Sequence, residues 1–326
     1  MRALVTGASG FLGGRLAQVL AARGDSVVVL ARPTNDLSHL SGSPYEVVRG
    51  TLDDETTLDQ AVRGVTHIFH CAACSTDWAS PRTYFAANVA GTTNLLRAAA
   101  ARPEIQRFLH VSTTDVYGYP RQVCGEDAER VDVGLPYNST KCMGERAVWV
   151  SGLPVTVVRP ATIYGPRSIP FGSDLAKLIR QGLMAVIDGG RARGGFLYVD
   201  NAVDALIAAA TARESLGRPY NLSDGTNATW RAYVDALAAG LGERRPWIDI
   251  PSRAALALAW GMEAPHRFLK VPGRPLLTRH AVYLLARDQE FPAERARREL
   301  GFAPAVGFEE GMKRTVEWIQ SLPGGA

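Results

Sequence analysis

The 326-residue sequence predicts an α/β fold built on a doubly wound parallel sheet. Three observations carry this: short β-branched runs alternate with helical patterns, a glycine-rich turn follows the first run, and the rhythm changes after Arg159. The runs predicted as strands are Ala3–Thr6, Ser26–Leu30, Glu46–Arg49, His67–His70, Arg107–Ser112 and Val155–Arg159. Most are almost continuously apolar, as parallel strands covered on both faces must be. Between the first two, Leu12, Leu16, Val19 and Leu20 recur at helical spacing and Gly24 closes the helix. Helices are also expected over Tyr84–Ala101 and Tyr137–Val150.

After Arg159, the breakers Pro160, Gly165, Pro166, Pro170 and Gly172 mark an exit from the sheet. A helix Asp174–Met184, a strand Phe196–Val199, a helix Asn201–Thr211 and a short strand Tyr220–Leu222 are expected next. Further helices are expected over Trp230–Leu241, Leu277–Ala286 and Glu309–Leu322. The expected division is a dinucleotide-binding unit, 1–165 with 194–224 returning to it, and a substrate-binding region, 166–193 and 225–326.

Composition narrows the function classes. Apolar residues make up 46% and charged residues 21%, with a formal charge of +4 spread along the chain. No patch interleaves basic with stacking aromatic residues, which argues against a nucleic-acid partner. The most apolar late stretch, Ala254–Met262, falls short of the roughly 20 residues needed to span a bilayer. Met1 leads directly into a strand, and Cys71, Cys74, Cys124 and Cys142 do not suggest a disulfide framework, so the cytoplasm is the expected location. Cys71 and Cys74 have C-x-x-C spacing, but no second pair or His cluster completes a metal site, and no metal is expected. His39, His67, His70, His110, His266 and His280 are scattered and read as structural.

Thr6-Gly7-Ala8-Ser9-Gly10-Phe11-Leu12-Gly13 lies between the first strand and the first helix. Gly7 permits a tight turn, Gly10 lets a pyrophosphate approach the backbone, and Gly13 lets helix and strand pack closely. The helix start then offers N–H groups and a positive dipole end to phosphates. These features mark a Rossmann-type nucleotide site. At the end of the second strand, Arg32 stands where an acidic residue would select NAD. Its guanidinium suits a 2′-phosphate and favours NADP(H). The alternative is an arginine stacking on adenine in an NAD enzyme. Asp36 lies a few residues past the usual acidic position.

Tyr137 and Lys141 stand one helical turn apart after Pro136. A phenol needs help to exchange protons at neutral pH, and a nearby ammonium stabilises its phenolate. Upstream, Val111-Ser112-Thr113-Thr114-Asp115-Val116-Tyr117-Gly118 brings hydroxyls to the carboxyl edge of the sheet. Thr113 can orient a substrate oxygen beside Tyr137.

With these pieces the chain resembles the extended short-chain dehydrogenase/reductase family over nearly its whole length. Besides Thr6–Gly13, Ser112–Gly118 and Tyr137–Lys141, the matching motifs are His70-Cys71-Ala72-Ala73, Asn88-Val89-Ala90-Gly91-Thr92 and Arg159-Pro160-Ala161-Thr162-Ile163-Tyr164-Gly165-Pro166. The resemblance implies that Tyr137 is the acid/base, that Lys141 holds the nicotinamide ribose, and that Thr113 replaces the catalytic Ser/Thr. It carries the cofactor site to Gly7, Ser9, Gly10, Phe11, Leu12, Gly13, Arg32, Leu52, Ala72, Ala73, Asn88, Pro160, Ala161, Thr162 and Ile163. A homodimer is a family expectation only.

Departures bear on the branch. Thr114-Asp115 replaces the Asp-Glu pair of sugar dehydratases, and Arg159-Pro160-Ala161-Thr162 replaces the Arg-Tyr-Phe-Asn of UDP-sugar epimerases. Gly50-Thr51-Leu52 stands in place of Gly-Asp-Leu. The C-terminal third is more similar to 3β-hydroxysteroid dehydrogenase-like proteins and related keto-acid reductases, through Phe196–Ala202, Pro275–Arg279, Glu299–Phe302 and Thr315–Trp318. Leu256, Leu258, Trp260, Met262, Phe268 and Leu269 read as core or dimer contacts, or as an apolar wall for a hydrophobic ketone. The implied activity is NADP(H)-dependent ketone reduction. The rivals are an NAD-retaining nucleotide-sugar epimerase and a non-catalytic dinucleotide-binding regulator.

Overall fold

In a computed structural model, which describes residues 1–269 and 271–323, the apolar runs align as one parallel sheet of seven strands. Six come first: β1 (Arg2–Thr6), β2 (Ser26–Ala31), β3 (Tyr45–Arg49), β4 (His67–His70), β5 (Arg107–Val111) and β6 (Val155–Pro160). Then follow β7 (Thr162–Tyr164), β8 (Ala185–Ile187) and β9 (Phe196–Tyr198), before β10 (Pro219–Leu222) completes the sheet and β11 (Ile248–Ile250) ends the strand series. The order is β10-β6-β5-β4-β1-β2-β3. The winding therefore reverses between β1 and β4, which opens a crevice at their carboxyl ends.

The helices are α1 (Phe11–Ala22), α2 (Glu55–Ala61), α3 (Pro81–Phe85), α4 (Gly91–Ala100), α5 (Pro136–Trp149), α6 (Asp174–Arg180), α7 (Val199–Thr211), α8 (Trp230–Gly240), α9 (Ser252–Phe268), α10 (Arg279–Ala286), α11 (Glu294–Leu300) and α12 (Phe308–Ser321). Two apolar layers cover the sheet. Leu16, Leu20, Val203 and Leu206 of α1 and α7 pack on one face, while Leu58, Leu95 and Val148 of α2, α4 and α5 pack on the other. Burial on both faces is why the strand sequences do not alternate.

The expected helix 84–101 is divided. A π turn, Ala86–Ala90, separates α3 from α4 and turns Asn88 inward. The expected helix 174–184 ends at Arg180, because Ala185–Ile187 leaves to pair with β11. Strand β7 pairs with β9 and lies outside the main sheet. These three-residue strands are too short for a visible alternation.

The apolar stretch before residue 270 forms the 17-residue helix α9, whose buried face is Ala255, Ala259 and Glu263. Leu258, Trp260, Phe268 and Leu269 are exposed, Phe268 by 81%, so they are not core residues of this chain. Leu256 is the member of the group that joins an apolar cluster, beside Ile187 and Val282. No helix among the described residues is long and apolar enough to cross a membrane.

Candidate active site

The glycine turn sits at the mouth of the crevice. Gly7 has φ +74°, and a Cβ there would stand 2.8 Å from the backbone nitrogen of Ala72 at the exit of β4. A Cβ on Gly13 would stand 2.5 Å from the Gly7 carbonyl oxygen. Side chains at either place would force the turn, α1 and β4 apart. Gly10 is the N-cap of α1 and supplies no side-chain cap, so the first N–H groups of the helix, those of Phe11 and Leu12, remain for an anion. The Ala72 backbone borders this opening, and Leu52 packs against Gly91. These residues fit the pyrophosphate and adenosine of a dinucleotide.

At the far side of the turn, β2 and β3 end in register, with Ala31 opposite Arg49. The Arg32 guanidinium donates to Asn35 Oδ1 at 3.0 Å, and the Asn35 amide donates to the Ser9 hydroxyl. Arg49 donates to the carbonyls of Arg32 and Asn35 at 3.2 and 2.9 Å. Two exposed arginines, one just after β2 and one at the end of β3, are thus gathered around Asn35 beside Ser9. Asp36 is occupied within that loop: its carboxylate accepts from the backbone N–H and hydroxyl of Ser38, both at 2.8 Å.

Across the crevice, α5 brings Tyr137 and Lys141 to the end of β5. Lys141 is 3% exposed and donates from Nζ to the Val111 carbonyl oxygen at 2.7 Å. Burial pushes its ammonium down to about 8, partly opposed by the Glu145 carboxylate. The Thr113 hydroxyl neighbours the Tyr137 phenol and favours its ionised form. Burial raises the phenol well above its ordinary value, and the Asp115 carboxylate raises it further, against the influence of Thr113. The sequence-based expectation of a phenol eased by its lysine neighbour therefore meets an opposing local environment.

Asn88 lies next to the site without pointing freely into it. Its Oδ1 accepts from the Cys74 backbone at 2.8 Å, and its Nδ2 donates to Thr140 Oγ1 at 3.1 Å. It thereby fixes the loop leaving β4 against α5. Pro160 ends β6, the Ala161 N–H donates to the Leu222 carbonyl at 3.0 Å, and Thr162 and Ile163 enter β7. His70 bridges the hydroxyls of Thr6 and Thr92 at 2.8 and 2.9 Å, and burial beside Lys141 pushes it down to about 3, so it is neutral. The Cys71 thiol is pushed up to about 12 by burial. Among the described residues no group of three His, Cys, Asp or Glu is placed to hold a metal.

Three features were not singled out from sequence. Glu145, one further turn along α5 from Lys141, is fully buried and accepts from the Ser112 hydroxyl at 2.7 Å and the Arg159 guanidinium at 2.5 Å. Burial alone would raise its carboxyl, but Arg159 and Ser112 outweigh this and hold it below the usual range. The spacing 137, 141, 145 was the available signal. Asp77, after β4, receives Arg274 Nη2 and the Thr278 hydroxyl at 2.8 Å each, which ties the C-terminal region to the sheet. His280, on α10, donates from Nε2 to Asp115 Oδ2 at 2.9 Å and stacks on Tyr137, with centroids 5.4 Å apart and 20° between the rings. A lone histidine far along the chain carries no local mark of this placement.

The profile of the NAD dependent epimerase/dehydratase family matches residues 3–223. The chain is 34% identical over 318 residues to the 4-hydroxy-2-methyl-3-oxo-4-farnesyl-3,4-dihydroquinoline-1-oxide ketoreductase of Stigmatella aurantiaca, covering 96% of this chain and 95% of that one. It is 32% identical over 326 residues to the 2-alkyl-3-oxoalkanoate reductase of Stenotrophomonas maltophilia, covering 96% and 98%. The backbone is similar to a UDP-glucuronic acid 4-epimerase from Bacillus cereus in complex with NAD, with a TM-score of 0.79 at 22% identity over 100% of this chain and 98% of that one, a likeness of fold alone. A dinucleotide cradle of this shape beside a Tyr–Lys helix, together with these relatives, places the chain in the NAD dependent epimerase/dehydratase family as an NAD(P)-dependent oxidoreductase of the short-chain dehydrogenase/reductase type.

Proposed function

We propose that this protein is an NADP(H)-dependent ketone reductase, reversible as an alcohol dehydrogenase, acting on a hydrophobic carbonyl compound. The observation that carries the reading is the meeting of Thr113, Tyr137 and Lys141 at the end of β5, beside the glycine cradle. A nicotinamide dinucleotide, when held here, would supply the hydride for the carbonyl carbon. Tyr137 gives its phenolic proton to the carbonyl oxygen and regains one from solvent, while Thr113 orients that oxygen by a hydrogen bond. Lys141 holds the nicotinamide ribose and stabilises the transient phenolate. Gly7, Ser9, Gly10, Phe11, Leu12 and Gly13 hold the pyrophosphate. Leu52, Ala72, Ala73, Pro160, Ala161, Thr162 and Ile163 shape its path, and Asn88 fixes the loop over it.

The NADP preference rests on Arg32, with Arg49 at the end of β3 bonded to the same loop and Asp36 engaged by Ser38. The hydrophobic substrate class is supported by the two reductase relatives and by aromatic rings near Tyr137, including Tyr84 with its centroid 6.3 Å away. Residues 1–165 with 194–224 would form the dinucleotide unit, and 166–193 with 225–326 the substrate region. The test is NADPH consumption across a panel of β-keto esters and cyclic ketones of increasing apolar size. Turnover that rises with apolar size supports the reading; interconversion of UDP-sugars without net NADPH loss contradicts it.

A further inference from the structure

We propose that His280 is a positioning residue for Tyr137: its imidazole, paired with Asp115 and stacked on the phenol, cancels the carboxylate charge so that Tyr137 can exchange its proton. The inference rests on Tyr137 being the acid/base group.

The geometry joins three elements. His280 is the second residue of α10, in the C-terminal region, and its Nε2 meets Asp115 Oδ2 at 2.9 Å. Asp115 follows β5, and its backbone oxygen is fixed by Asn138 Nδ2 at 2.7 Å. Tyr119 donates its hydroxyl to the same Oδ2 at 2.9 Å. The flat face of the His280 ring covers the Tyr137 ring at 5.4 Å. A carboxylate and an imidazole therefore share the immediate surroundings of the phenol, and the proton on His280 decides whether their joint charge is negative or zero.

The other groups facing His280 do not duplicate this function. Tyr119 lies 5.8 Å away and stacks on Tyr283. Asp77 is bound by Arg274 and Thr278, and Arg279 is bound by Glu263 at 2.8 Å. Burial opposes charge on His280, but the bond to Asp115 and its charge prevail, so the imidazolium persists above its ordinary titration point. Asp115 raises the phenol, and an opposite or like charge within a few ångströms shifts such a group by about one to three pKa units. Discharging His280 leaves that push unopposed.

The test is the pH profile of kcat/KM for alcohol oxidation, in which Tyr137 must accept a proton. The enzymes compared are wild type, His280→Gln, His280→Phe, and each with Asp115→Asn added. Gln keeps a bond to Asp115, and Phe keeps the ring stack. In the acid range, where wild-type His280 carries its proton, kcat/KM is expected to fall about tenfold or more in either single variant. Adding Asp115→Asn is expected to restore most of that loss. NADPH affinity, read by fluorescence, should stay unchanged and serves as the folding control. An acid-range kcat/KM unchanged in both His280 variants, or losses that add when Asp115→Asn is included, would overturn the proposal. Full activity in Tyr137→Phe would instead overturn the catalytic assignment on which it rests.

Discussion

Lys141 Nζ and the carbonyl oxygen of Val111 are joined by a 2.7 Å hydrogen bond, which pins α5 to the last residue of β5. Thr113, two residues further on, is thereby held at a fixed height beside Tyr137, one turn before the lysine. Tyr137→Phe removes the proton carrier while keeping the ring. A fall in kcat of about 10² to 10⁴ is expected, with NADPH affinity retained in a fluorescence titration.

The same lysine makes a prediction for stability. Burial lowers its ammonium from 10.5 to about 8, so the native state binds fewer protons than the unfolded chain between those values. The contribution of Lys141 to stability therefore rises with pH across that window, and below it the full cost of a buried charge is present. Urea unfolding of wild type and Lys141→Met should show a stability difference that shifts toward wild type from pH 7.5 to pH 10.

Arg49, at the end of β3, is bonded to the loop that carries Arg32 and touches Ser9, and this arrangement bears on the choice of cofactor. A charge-assisted hydrogen bond to a phosphate contributes about 1.5–3 kcal/mol. Arg32→Ala should weaken NADPH binding by roughly ten- to a hundredfold and leave NADH nearly unchanged. Equal effects on both nucleotides would point to adenine stacking instead.

Glu145 and Arg159 form a buried ion pair beneath the site, with Ser112 and Tyr117 completing its hydrogen bonds. Removing Arg159 leaves the buried Glu145 carboxylate with Arg130, at 3.2 Å, as its remaining charged partner. Arg159→Leu should cost about 3–5 kcal/mol in chemical denaturation and disturb Thr113 through Ser112. Restoring part of that loss with Glu145→Gln added would show the stranded charge to be the cause.

What the sequence revealed follows from how locally each feature is encoded. The strands from Ala3 to Arg159 were visible because doubly buried parallel strands are nearly continuous apolar runs. The cradle was visible because Gly7, Gly10 and Gly13 meet a steric demand within one turn. Helix α9 was misread because its inward positions are the small Ala255 and Ala259, while its large apolar residues face outward. The short strands β8 and β11 exist through their pairing with each other, Ala185 opposite Ile248, far apart along the chain. His280 is the clearest case: its partners Asp115 and Tyr137 lie 165 and 143 positions earlier, and only the packing of α10 unites them.

The most direct test is a single turnover with NADPH carrying deuterium at both nicotinamide C4 positions and a hydrophobic β-keto ester, followed by mass analysis of the product. One deuterium is expected at the carbinol carbon for each NADPH oxidised, and no labelled alcohol in Tyr137→Phe. A wild-type protein that holds its nucleotide, leaves the ketone untouched and epimerises a UDP-sugar without net oxidation of cofactor would contradict the reductase reading.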